Sequence, residues 1–233
     1  MNKPAEIIIV GGGTSIKQAD LSTLQPILAS KFVILTNYSF RHFNGTFLCF
    51  QDVDFYKSKD ITVNPDIYEE LKQLPLIVGL NHNGIEEFKL DNTILIDKKY
   101  REPLTGILAL KLAEILMENG TIYLLGFDFT RQGIPKDKSK YDPNSELSIH
   151  YYSKDEINHR GVGFTGYYDR HNPDKVFEKF IKKDVKIFNV SPESNITVFE
   201  KINYEHMFTL LNKEIYNQDE LRTYVKEKLL CIK

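Results

Sequence analysis

No stretch of this sequence approaches the roughly 20 apolar residues that a membrane span needs. Its most apolar segments, around residues 7–10 and 107–115, the second interrupted by Lys111 and Glu114, are far shorter, so no transmembrane helix is expected. Cysteine is scarce: Cys49 and Cys231 are the only two in 233 residues. Their positions match neither a metal cage nor a disulfide framework, so both are expected to be reduced and structural. An excess of positive charge is missing as well. The 30 Lys and Arg against 32 Asp and Glu leave a formal net charge of -2, which removes the strongest sign of a dedicated nucleic-acid binder. One local patch remains, formed by Lys175, Lys179, Lys182, Lys183 and Lys186, and its plainer reading is a solvated helix face. The opening residues, Met1-Asn2-Lys3-Pro4, lack the apolar core and small-residue cleavage site of a signal peptide, so a cytoplasmic location is expected. No internal repeat and no low-complexity tract interrupts the chain.

What is present is an alternation of strand-like and helix-like segments. Residues 6–10 form a β-branched run with almost no polar interruption, the pattern of a central strand buried on both faces. Further strand-like runs stand at residues 32–36, 47–50, 76–78, 93–96, 121–125 and 186–190. The clearest helix spans residues 104–118, apolar nearly all round, with Gly106, Ala109 and Ala113 at helical spacing on one side. Asn119-Gly120 ends it, and the next strand runs directly into Gly126-Phe127-Asp128-Phe129. A helix resumes near Asp174, and two more are expected at residues 204–211 and 218–230. The alternation predicts an α/β, Rossmann-like, doubly wound and mostly parallel sheet in a single nucleotide-binding domain over residues 1–233. Residues 130–169 carry no sustained apolar periodicity and read as a lid or active-site insertion. Residues 203–233 read as a C-terminal helical segment.

Chemistry is expected where a glycine-rich turn joins the first strand to the first helix, because backbone amides exposed there can receive a phosphate. Gly11, Gly12, Gly13, Thr14 and Ser15 occupy that turn. They do not fit the dinucleotide fingerprint, which wants a third glycine where Ile16 stands and an acidic residue where Thr36-Asn37 stands. A Walker loop ending is also missing. Asn37, after the second strand, can both donate to and accept from a base or ribose, and Asp52, after the third, can accept from a ribose hydroxyl. Asp52 and Asp54 lie two apart in an extended segment and can share a divalent ion; surface turn carboxylates are the plainer reading. The insertion and the two residues after it gather His150, Tyr151, Tyr152, His159, Arg160, Tyr167, Tyr168, Arg170 and His171. Histidine suits a general base, and tyrosine or arginine suits stabilisation of a departing phosphate.

The ordered set from Ile9-Val10-Gly11-Gly12-Gly13-Thr14-Ser15 through Thr36-Asn37, Thr105-Gly106, residues 122–129, a tyrosine-rich loop, a histidine and Ser191-Pro192 resembles the bacterial sialyltransferases of glycosyltransferase family 42. The likeness runs to about Phe199. The glycine-rich start and the Gly-x-Asp element are also similar to a wider group that includes 6-hydroxymethylpterin diphosphokinase-like and phage-encoded proteins. Two positions depart from the sialyltransferase pattern: its arginine appears here as Arg101, one residue displaced, and its Thr-Ser pair is Leu104-Thr105. The resemblance implies nucleotide contacts at residues 11–15, Asn37 and Asp52, with Thr105 and Gly106 as the wall near the phosphate; Asp128, after the strand at 121–125, is a further nucleotide-binding candidate. It also implies His171 as general base; from the residues themselves His159 ranks second for that role by its Arg160 neighbour, and Tyr151, Tyr152 and Arg160 of the same polar stretch are the further catalytic candidates.

The expected activity is transfer of a sugar from a nucleotide-sugar donor of CMP-sugar type to an acceptor hydroxyl, with no cofactor required, in a bacterial or phage-infected host cell. The acceptor is a glycan, a small molecule or a modified nucleic acid, and a homo-oligomer is compatible with this. A second expectation is a diphosphotransferase in which Asp52, Asp54 and Asp128 hold magnesium or manganese. A third is a nucleotide-binding protein without catalysis.

Overall fold

The computed structural model describes residues 3–51, 65–81, 90–129 and 172–232. Eight strands form one sheet: β1 (Glu6–Val10), β2 (Val33–Thr36), β3 (Phe47–Phe50), β4 (Ile77–Leu80), β5 (Thr93–Ile96), β6 (Gly120–Leu125), β7 (Val185–Asn189) and β8 (Glu200–Lys201). All pairings are parallel, and the order is β5-β4-β3-β2-β1-β6-β7-β8. The chain builds outward from β1 to β5, returns beneath the sheet, and continues on the other side of β1 with β6. The expected doubly wound α/β class is therefore what the chain adopts, with a sheet that is parallel throughout.

Parallel strands need crossovers, and helices supply them on both faces. Alternate side chains of each strand feed opposite cores. Ile7 and Ile9 enter one cluster with Ile122 and Leu124, while Ile8 and Val10 enter the other with Tyr123 and Leu125. That two-sided burial is why β1 carries no polar residue after Glu6. The first cluster contains α3 (Thr105–Leu116), α4 (Pro173–Phe177) and α6 (Gln218–Leu230). The second contains α1 (Leu21–Ser30), α2 (Pro65–Lys72) and α5 (Tyr204–Leu210). Leu108, Leu110, Leu112 and Leu116 of α3 are fully buried, and α3 lies across β1, β2 and β3.

The chain passes from α5 on one face to α6 on the other around the end of the sheet where β1 and β2 begin. A buried polar clasp holds that passage. The Lys31 ammonium donates to the carbonyl and Oδ1 of Asn212, at 2.6 and 2.7 Å, and to the Glu214 carbonyl at 2.7 Å. The Asn212 amide donates to both oxygens of Glu6, at 3.0 and 3.1 Å. Burial raises the Glu6 pKa above its ordinary value, although the Asn212 amide and Lys31 pull it back. No described helix is long and apolar enough to cross a membrane.

Candidate functional site

The sheet order places the topological switch between β1 and β6, where successive connections leave in opposite directions. In open α/β sheets the crevice beyond the strand ends at such a point receives ligands. Two loops meet there. The loop after β1 continues into a 3-10 turn, Thr14–Gln18. The loop after β6 begins at Gly126, whose φ of 69° is a conformation that favours glycine.

The two loops are zipped together by alternate amides. Gly11 N–H donates to the Leu125 carbonyl at 2.7 Å, Gly13 N–H to the Gly126 carbonyl at 2.8 Å, and Ser15 N–H to Oδ2 of Asp128 at 2.8 Å. Gly13 is extended, and alternate groups of an extended segment face opposite sides. The amides of Gly12 and Thr14 accordingly take no acceptor among the described residues. The glycines are dictated by this approach. A Cβ on Gly11 would lie 2.7 Å from the Gly126 carbonyl oxygen, and one on Gly13 would lie 2.6 Å from the Asp128 carboxyl.

Asp128 is 7% exposed. Besides the Ser15 amide, its carboxylate accepts from the Ser15 hydroxyl, and from the Ser191 hydroxyl at 2.9 Å. No cation pairs with it among the described residues. The backbone of the same loop is held from the other side by the segment after β7. Asn189 Nδ2 and the Ser194 hydroxyl donate to the Phe127 carbonyl at 3.1 and 2.7 Å. The Asn195 amide donates to the Asp128 carbonyl at 2.8 Å, and its Nδ2 to the Phe129 carbonyl at 2.7 Å. Tyr204, at the start of α5, is 4% exposed and its hydroxyl has no partner among the described residues. Burial, and secondarily the Asp128 charge, raise its pKa, so the phenol stays protonated.

The Phe127 ring joins this pair of loops to α3. Its atoms lie 3.0 Å from the position of a Cβ on Gly11 and 3.0 Å from that of one on Gly106. Gly106, which follows buried Thr105, thus packs against the same ring as Gly11. α3 begins there, with its amino-terminal end and the positive end of its dipole at Thr105 and no side-chain cap from Leu104. On the other flank, the Thr36 hydroxyl donates to the Val10 carbonyl at 2.9 Å, bringing the end of β2 against the end of β1. The next residue, Asn37, has a φ of 48°, and its buried Oδ1 has no partner among the described residues.

Of the site residues read from the sequence, the fold brings together Gly11, Gly12, Gly13, Thr14, Ser15, Asn37, Thr105, Gly106 and Asp128. Asp52, Asp54, Tyr151, Tyr152, His159, Arg160 and His171 lie outside the described residues, as does the 130–169 insertion. Ser191, Ser194 and Asn189 were missed as site residues. The available signal was polar side chains at and just beyond the end of a strand that borders β6. Three of the five lysines in the patch are ion-paired: Lys179 with Glu102 at 2.6 Å, Lys182 with Glu114 at 2.9 Å and Lys186 with Glu200 at 3.0 Å. No family model, curated protein or solved structure matches the chain.

Proposed function

We propose that the crevice between β1 and β6 binds a nucleotide and that the protein is a nucleotide-sugar glycosyltransferase. The observation that carries the reading is the convergence at the switch point of two glycine-loop amides and the Oδ1 of Asn37, none of which has a partner among the described residues. The amides of Gly12 and Thr14 offer donors to a phosphate, and Asn37 offers an acceptor to a base amine or a ribose hydroxyl. A CMP-sugar-like donor suits a site in which neutral donors and a helix start meet a single phosphate. The three donors already on Asp128 favour this over a metal site built on that carboxylate.

In this reading His171 takes the proton of the acceptor hydroxyl, with His159 the second candidate for that role, and Tyr151, Tyr152 and Arg160 stabilise the departing phosphate. His171 directly precedes Asn172, which caps α4 by accepting from the Asp174 amide at 2.9 Å, so a fixed element follows the proposed base.

A thermal-shift screen against CMP, UDP, GDP, ATP and their sugar conjugates tests the reading, since a ligand that binds the folded state raises its melting temperature. A CMP conjugate is expected to stabilise most, and no shift with any of them contradicts it. With the donor in hand, His171→Gln is expected to keep nucleotide affinity and lower turnover about 100-fold or more. Full activity in that variant removes His171 from the mechanism.

A further inference from the structure

We propose that Asp128 is a positioning residue whose carboxylate, through Ser15 and Ser191, locks the glycine loop and the loop after β7 into the arrangement that keeps the crevice open. Its ligand arm rests on the nucleotide reading; its structural arm does not. One oxygen, Oδ1, accepts from two hydroxyls, and the other accepts the Ser15 amide. All three partners donate, so the position calls for a group that only accepts. A carboxylate meets that requirement, whereas an asparagine turns an NH2 toward at least one of the donors. The carboxyl also fills the space that a side chain on Gly13 would occupy. Gly13 and Asp128 are therefore a matched pair, one yielding the volume that the other uses. The lock joins segments far apart in sequence: Ser15 lies 113 residues before Asp128, and Ser191 lies 63 after it.

Hydrogen–deuterium exchange on the whole protein tests this. Peptides covering residues 11–18 and 190–196 report the two loops, and the strands at 6–10 and 120–125 serve as internal references. Asp128→Asn is expected to speed exchange in both loops by about tenfold or more, the scale of losing hydrogen bonds to a charged group, with the reference strands unchanged. Adding Ser15→Ala to that variant should change little, because the bond it removes is already lost. If Asp128→Asn does not fold, the double variant Ser15→Ala, Ser191→Ala keeps the charge, removes two donating hydroxyls and is expected to loosen both loops.

Unchanged exchange, or loosening confined to one loop, overturns the proposal. In the ligand arm, calorimetry with CMP should give a dissociation constant at least about tenfold weaker for Asp128→Asn, with or without magnesium. If affinity in wild type requires magnesium and that requirement is lost in Asp128→Asn, the carboxylate is a metal ligand and the proposal fails. Absence of CMP binding to wild type while both loops loosen in the variant contradicts the CMP-type donor and supports the positioning role.

Discussion

Gly13 has no room for a methyl group, because the space beside it holds the Asp128 carboxyl and the Gly126 carbonyl, each 2.6 Å from where a Cβ would stand. Gly13→Ala is expected to destabilise the fold by about 1–3 kcal/mol, the usual range for overpacking a tight site. Urea denaturation measures this, and a loss below about 0.5 kcal/mol would show that the loop relaxes freely. The run of three glycines was legible as a strand-to-helix turn from its position alone. Which glycine serves which purpose was not, since that depends on Asp128, 113 residues away from Ser15. Asp128 itself was legible as a polar residue after a buried strand, but its lock with Ser191 was not. Two serines in separate loops carry no mutual signal until the strands before them become neighbours of β6.

At the scale of elements, the apolar pattern located most strands well. Those at residues 6–10, 47–50 and 93–96 were read with their observed ends. The helix read at 104–118 forms from Thr105 to Leu116. Burial on all sides explains its legibility, because almost every residue had to be apolar. Leu112, fully buried in α3, should cost about 2–5 kcal/mol when changed to Ala. A loss of unfolding free energy below about 1 kcal/mol, read from urea denaturation, would mean that α3 is not central to the core. Other elements were hidden. α1 contains Pro26, ordinarily a breaker, and buries only Leu24 and Leu28. β8 has two exposed residues, too few to show a period. Its pairing with β7, Phe188 to Glu200 and Asn189 to Lys201, is set by the tertiary packing around it.

At the scale of the whole molecule, strand order could not be read from strands that resemble one another, yet it is what defines the crevice. The opposite end of the sheet carries the Glu6, Lys31 and Asn212 clasp, and its electrostatics make a pH prediction. Burial raises the Glu6 pKa above about 4.5, so between that value and the raised one the folded chain holds a proton that the unfolded chain has lost. The stability from Glu6 is full below about pH 4.5 and falls as pH rises through the folded value. Glu6→Gln should remove that fall. The difference in melting temperature, variant minus wild type, is expected to increase from pH 4 to pH 7. A flat difference across that range would place Glu6 at its ordinary value.

The claim on which function depends is that a nucleotide sits where β1 and β6 end. Hydrogen–deuterium exchange with and without saturating CMP addresses it directly. Slowed exchange is expected at residues 11–15, around Asn37 and at the start of α3, with the Glu6 and Lys31 end of the sheet unaffected. Protection confined to any other surface, or none at all, would contradict the account.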